Sequence, residues 1–425
     1  MYEVIPGDVR AWAEAYKGPQ FHAVLSDPPY GLGTPPDPLQ MLRAWLATGH
    51  LDVKGTGFMG RSWDAFVPQP ATWSAVGRLL LPGAHALAFY GARTFDLGVL
   101  AMRIAGFEIR DQLEWIYGGG FAKSLEVGKA IGGVGGAQSK AVGARHHGAR
   151  ETPDGTEEAR RWKGFGTSLK PAHEPIVIAR RPLQGTVTAN VMTHGAGALN
   201  VNGCRIAAAP GDYDHPGCED RRGTQGVCYG GMPNRHSQCP PNPFGRWPAN
   251  LIHDGSPEVV RMFPNSVARK PIDGERGKGF WRVVSGKRDP LPCGPQYGDS
   301  GSAARFFFAA QQDALDTCDP LYYHPRASRR ERDAGLARNT HPTVKPIALC
   351  TYLARLLLPP PLPHGRARRM LVPFAGSGSE MIGAILAGWD EVIGVELLPE
   401  HVEMAKARLA YWAAKAPKQL TLFRR

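Results

Sequence analysis

The sequence predicts an α/β protein: a βαβ-type sheet whose two halves are separated by a long irregular insertion. Three features predict it. Apolar runs of strand length alternate with stretches of helical spacing near both ends of the chain. A glycine-rich turn, "PFAGSG" (373–378), joins one such strand to one such helix. Between the regular zones the chain is rich in Gly, Pro, Arg and His and has weak periodicity.

Taken in order, "FHAVLS" (21–26) predicts a buried strand, "PATWSAVGRLLL" (70–81) a helix and "HALAFY" (85–90) a second strand. Residues 1–117 form the first division. In residues 118–340, "GGGFAKS", "QCPPNPFGRWP" and "CGPQYGDSGS" predict loops and turns. A loop-rich stretch of that length normally has a task. Within it, residues 132–161 are expected to be the mobile stretch. Residues 341–425 turn regular again. They predict a helix at about 344–357, a strand at 369–373, the glycine turn, a helix at 378–387, a strand at 391–396 and a helix at 399–414.

The 425 residues carry 50 Lys and Arg against 38 Asp and Glu, a net charge of +12 that suits an anionic partner, nucleic acid first. The N-terminus is charged early and the longest apolar runs are too short to span a bilayer. These features predict an intracellular protein with no membrane partner. Seven scattered cysteines fit free thiols in a reducing compartment.

In "VLSDPPYGLG" (24–33) an apolar strand ends in an acid, two prolines and a tyrosine. In open parallel sheets, ligands sit outside the carboxyl ends of the strands, which is where Asp27 falls. Pro28 and Pro29 fix their own φ and hold the neighbouring carbonyls rigidly. The Asp27 carboxylate and the Pro28 carbonyl offer two acceptors, and Tyr30 offers a ring face. That set matches a planar ring bearing an exocyclic NH2. Accepting both amine hydrogens localises the nitrogen lone pair, with no covalent enzyme intermediate.

Gly376 and Gly378 let backbone approach a ligand, and the helix start that follows offers N–H groups to a carboxylate. Glu396 ends the next strand, where an acid can take ribose hydroxyls. The spacing is neither G-x-G-x-x-G nor a P-loop. An adenosine-bearing ligand with a carboxylate, such as S-adenosylmethionine, fits better; a plain packing turn is the other reading. In "HPTVKP" (341–346), Thr343 or a neighbour is expected to cap the next helix, with Pro346 in its first turn. Lys345 is misplaced at a helix start unless a ligand carboxylate lies nearby.

With these motifs in place the chain resembles the DNA amino-methyltransferases, S-adenosylmethionine-dependent enzymes that modify adenine N6 or cytosine N4. The resemblance rests on "DPPY" (27–30), "TVKP" (343–346), "PFAGSG" (373–378), the acid of "GVE" (394–396) and "GD" (7–8). The catalytic turn precedes the cofactor turn, which is the order of the β group. Longer stretches, among them "GFMGRSWDAF", "WIYGGGFAKS", "LKPAHEPIVIARRPL" and "GRWPANLIHDGS", are similar to phage and prophage DNA methylases.

The resemblance implies a doubly wound, Rossmann-like methyltransferase sheet with circularly permuted motif order and a target-recognition insertion. It implies that Asp27, Pro28, Pro29 and Tyr30 are catalytic. Pro373, Phe374, Ala375, Gly376, Ser377 and Gly378 would line S-adenosylmethionine, with Glu396 on its ribose. Asp8 would lie near its adenine, and Thr343 and Lys345 near its methionine end. Trp63 and Asp64 would belong to the active-site wall, with core packing an equal explanation of Trp63. One departure stands out: the family carries Asp before "PF", and here the residue is Val372. Another acid or carbonyl is expected to substitute.

The implied substrate is double-stranded DNA with its target base extruded, at a cost of a few kcal/mol. Arg145, Arg150, Arg160, Arg161, Lys163, Arg180, Arg181, Arg326, Arg329 and Arg330 are candidate phosphate contacts. Cys218, Cys228, Cys239 and His236 contain no C-x2-C pair, so zinc is not expected. "DPPY" leans to adenine N6. Cytosine N4 and a DNA-binding protein without catalysis are the alternatives. The protein is expected to act as a monomer or homodimer, with a separate restriction nuclease left open.

Overall fold

The computed structural model describes residues 1–57, 60–120, 124–133, 156–206, 245–266, 281–284, 287–290, 301–310 and 327–415. Nine strands form the main sheet: β1 Tyr2–Pro6, β2 Phe21–Ser26, β3 Leu80–Phe89, β4 Glu108–Ile116, β5 His173–Arg180, β6 Leu251–His253, β7 Phe308–Ala309, β8 Arg369–Pro373 and β9 Glu391–Glu396. Their spatial order is β1-β9-β8-β2-β3-β5-β4-β6-β7. Among these nine, β5 alone runs against the rest, pairing antiparallel with both β3 and β4. The α/β class with a mostly parallel sheet is the one the sequence predicts.

The helices flanking the sheet are α1 Val9–Ala15, α2 Pro38–Thr48, α3 Pro70–Arg78, α4 Phe95–Ile104, α5 Ile347–Leu357, α6 Ser379–Ala387 and α7 Pro399–Lys415. The central strands are buried on both faces, so they are continuously apolar rather than alternating: all six residues of β2 and all five of β8 are buried. Met370 and Val372 of β8 pack with α5, α6 and α7 on one face, while Leu371 packs on the other with α1, α3 and α4. The first and last parts of the chain therefore build one sheet, joined by the β2–β8 pairing.

Strands 21–26, 369–373 and 391–396 match their expected bounds. Helix 70–81 does not: α3 ends at Arg78, and Leu80 starts β3 opposite Phe21. A run of three leucines suits a helix face and a buried strand equally, and the sheet claims it. Helix 344–357 begins only at Ile347, because the ring of Pro346 keeps Lys345 out of the helical region. Residues 118–340 also supply three strands of the main sheet, β5, β6 and β7. Two of those strands are only two or three residues long, too short to leave a period in the sequence. Residues 134–155, most of the stretch expected to be mobile, lie outside the described residues. No helix among the described residues is long and apolar enough to cross a membrane.

Candidate active site

The turn after β2 and the turn after β8 are neighbours because their strands are paired. The tie is direct: the Ser26 hydroxyl, fully buried, donates to Pro373 O at 3.0 Å. "DPPY" and the glycine turn thus share the carboxyl end of the sheet.

Residues 27–31 are held from below and from the side. Asp64, buried, accepts from Tyr30 N–H at 2.8 Å and from Gly31 N–H at 3.0 Å through the same Oδ1. Gly31 has a φ of 66°, and a Cβ there would sit 2.7 Å from Val67 N, so only glycine fits the turn. The Thr94 hydroxyl donates to Tyr30 O at 2.5 Å. Two prolines and three outside bonds fix this loop. Asp64 therefore fixes the course of residues 30 and 31.

A four-membered polar network fills the space above the loop. Lys345 Nζ donates to Asp27 Oδ1 at 2.8 Å and to the Tyr30 hydroxyl at 3.0 Å, and pairs with Glu174 Oε2 at 3.2 Å. The Tyr30 hydroxyl in turn donates to Glu174 Oε2 at 2.9 Å. The ammonium also lies over the Phe89 ring, 4.8 Å from its centroid. Burial works against the Lys345 charge, but Asp27 and then Glu174 outweigh it and leave its pKa above the ordinary lysine value. Burial pushes the Asp27 carboxyl up, and Lys345 opposes that push only in part. Burial, Asp27 and Glu174 together hold the Tyr30 phenol protonated.

Lys345 therefore finds its carboxylates within the protein, where the sequence reading required one from a ligand. Its helix is capped from a distance as well. The Thr343 side chain makes no cap; Ile347 N–H donates to Glu331 Oε1 at 2.6 Å. Pro346 occupies the cap position itself.

The glycine turn has two left-handed glycines, Gly376 (φ 50°) and Gly378 (φ 79°), and a left-handed Phe374 (φ 59°). For a phenylalanine that conformation costs about 1 kcal/mol, held here by Ala375 N–H donating to Val395 O at 2.8 Å. Gly376 N–H donates to Glu396 Oε2 at 2.7 Å, and Leu398 N–H to Glu396 Oε1 at 3.0 Å. Despite burial, these bonds and His401 keep the Glu396 carboxyl below its usual range. A Cβ on Gly376 would lie 2.9 Å from His341 Nε2, which stacks edgewise on His401. Arg408 of α7, fully buried, braces the turn from behind, donating to Ser377 O at 2.7 Å, Ser377 Oγ at 2.9 Å and Ser379 Oγ at 3.1 Å. The first turn of α6 has no side-chain cap.

Asp8 is exposed and caps α1 through Ala11 N–H at 2.9 Å. Gly7 N–H donates to Glu396 O at 2.9 Å, which brings "GD" to the end of β9. Val372 is fully buried in the apolar core under α5, α6 and α7. A buried acid does stand on that side of the sheet: Glu380, in the first turn of α6. Its pKa is raised to about 7 by burial first and by Asp27 second.

Sequence reasoning missed Glu174, Glu331, His341, Glu380 and Arg408. Only Glu174 left a signal, an acid at the mouth of the apolar run "IVIA". Arg180 and Arg181 are corrected as phosphate contacts. Arg180 pairs with Glu108 at 2.5 Å and is buried, and Arg181 Nη1 donates to Leu80 O. Arg160, Arg161, Lys163, Arg329 and Arg330 are exposed; Arg145, Arg150 and Arg326 lie outside the described residues, as do Cys218, Cys228, Cys239 and His236. Among the described residues no cluster of His, Cys, Asp and Glu is arranged for a metal, and Cys204 and Cys350 are free and buried.

No family model and no curated protein matches the chain. Solved structures do overlap with it. The M1.HpyAVI complex with S-adenosylmethionine is 11% identical at a TM-score of 0.37, over 96% of this chain and 99% of that one. TTHA0409 from Thermus thermophilus, complexed with S-adenosyl-L-methionine, is 15% identical at 0.37, over 97% and 96%. The PvuII DNA methyltransferase (cytosine-N4-specific) is 11% identical at 0.40, over 96% and 86%. Overlaps this loose leave the chemistry to be judged on this chain's own side chains.

Proposed function

We propose that the protein transfers a methyl group from S-adenosylmethionine to the exocyclic amine of a base extruded from double-stranded DNA, adenine N6 first. One observation carries the reading: the bond between Ser26 and Pro373 sets the Asp27–Tyr30 platform against the glycine turn. An amine grip and a nucleoside cradle on one sheet edge are what this transfer needs.

The residues present fit S-adenosylmethionine. Gly376 holds the turn in a left-handed conformation with its Cβ position filled by His341, which leaves the backbone of the turn bare of a side chain there. The uncapped first turn of α6 offers N–H groups to a ligand carboxylate. Glu396 keeps lone pairs for ribose hydroxyls beyond the two backbone bonds it accepts. When bound, the cofactor supplies an electrophilic methyl group on a sulfonium.

The chain's own part is orientation and electrostatics. The Asp27 carboxylate and the Pro28 carbonyl accept the two amine hydrogens and turn the lone pair toward the incoming methyl. Tyr30, its hydroxyl pinned by Glu174 and Lys345, stacks on the base as a fixed plane. As the N–C bond forms, the nitrogen must shed one proton. Asp27, whose pKa burial pushes upward, is placed to accept it.

The same acceptors suit cytosine N4, so the test must tell the two apart. Unmethylated DNA is incubated with protein and labelled cofactor, digested to nucleosides and resolved by mass. N6-methyladenine is expected, and Asp27→Ala should abolish it. No methylated nucleoside from a folded, cofactor-binding protein would refute the reading.

A further inference from the structure

Beyond the sheet, the β4–β5 hairpin runs on as an arm. Tyr117 N–H donates to Ala172 O at 3.0 Å, Leu125 N–H to Thr167 Oγ1 at 3.0 Å and Val127 N–H to Phe165 O at 2.9 Å. Glu126 locks its tip: Gly164 N–H donates to Oε1 at 3.0 Å and Lys129 N–H to Oε2 at 2.6 Å. The described residues of the arm are thus tied to one another across its two sides.

Its surface is unusual. Residues 160–173 are all exposed. Leu125 is 57% exposed, Trp162 44%, Phe165 55% and Leu169 92%. Trp162 and Phe165 meet edge to face, with ring centroids 5.1 Å apart. Soluble chains rarely leave such a group without a partner. Arg160 and Arg161 flank it. Aromatics interleaved with cations match a strand of bases and phosphates, and the net charge of +12 favours an anionic partner over another protein.

Its position fits as well. β5 is antiparallel to β3, with Phe89 opposite Ile176, so the start of β5 lies at the carboxyl end of β2 and β3. Glu174 already touches Tyr30 there. Leu169, five residues upstream, lies within about 18 Å of it.

We infer that this arm, which leaves the sheet at the candidate cleft, is a nucleic-acid contact whose exposed Trp162 and Phe165 stack on unpaired bases. The inference rests on the DNA reading above and goes further in naming the element and the mode of contact. Stacking makes a distinctive forecast, because it adds affinity without releasing counterions.

The test uses the full chain with a fluorescein-labelled random-sequence duplex carrying a single-stranded overhang, whose unpaired bases are open to stacking, titrated by anisotropy across a salt series. The Trp162→Ala/Phe165→Ala variant is expected to bind at least about tenfold more weakly with the salt slope unchanged. Arg160→Ala/Arg161→Ala should instead flatten the slope by close to two units if both touch phosphate. Trp162→Phe should restore most of the lost affinity. Affinity for S-adenosylmethionine, measured by calorimetry, should be the same in all variants. If the aromatic variant bound the duplex as tightly as wild type, the inference would be wrong. It would be equally wrong if that variant merely dissolved a wild-type dimer and left DNA binding intact. A wild type with no affinity for the duplex would overturn the DNA reading itself, and the first titration alone reveals that.

Discussion

Lys345 Nζ lies 2.8 Å from Asp27 Oδ1, across 318 positions of chain; the lysine is buried and the Asp27 side chain is only 13% exposed. This contact joins the two ends of the sequence at the candidate site. Removing one partner of a buried pair strands the other charge, at a cost of about 3–5 kcal/mol. Lys345→Met is therefore expected to lower the urea midpoint by that free energy and to remove methylation. A loss below about 1 kcal/mol would mean that the ammonium does not hold Asp27 in place.

Asp64 serves the loop through one oxygen, which accepts from both Tyr30 N–H and Gly31 N–H. A neutral amide keeps that acceptor and an alanine does not. Asp64→Asn should retain a substantial share of kcat, whereas Asp64→Ala should lose about a hundredfold, in line with the penalty of small misplacements in oriented catalysis. Equal kcat in the two variants would show that the acceptor bond is not what orients Tyr30.

Gly376 is left-handed and stands 2.9 Å, at the Cβ position, from His341 Nε2. Gly376→Ala must distort the turn or displace the imidazole. Cofactor affinity in a calorimetric titration should fall at least about tenfold, equivalent to about 1.4 kcal/mol. Gly376→Ala/His341→Ala should recover only part of it, since the double variant relieves the clash and keeps the backbone strain. Full recovery would assign the whole effect to the clash.

These three positions also mark what could be read from sequence. Asp27, Tyr30, Gly376 and Lys345 stand out as candidates because each sits in a short motif whose residue types have few other uses. The strands β2, β8 and β9 were legible, since a strand buried on both faces leaves an unbroken apolar run. Glu174, His341 and Glu380 were not, because each gains its role from a neighbour far along the chain. The partner of Lys345 was mistaken for the same reason. Local spacing shows that a cation needs a carboxylate but not that Asp27 and Glu174 provide it.

Glu380 gives the pH dependence a sign. It is 4% exposed, its Oε1 lies 3.9 Å from the Cys350 thiol, and its pKa is raised from 4.5 to about 7. Below about pH 4.5 the carboxyl is protonated whether the chain is folded or not, and it costs nothing. As pH rises from there to about 7, the unfolded chain ionises while the folded one stays neutral, so stability is lost. Above about pH 7 the cost is complete, on the order of 3 kcal/mol. Glu380→Gln removes the titration and keeps the shape. The variant should therefore exceed wild type in urea unfolding by less than about 1 kcal/mol near pH 5 and by about 3 kcal/mol near pH 8. The same difference at both pH values would mean that Glu380 titrates at its ordinary value, and that burial beside Asp27 does not govern it.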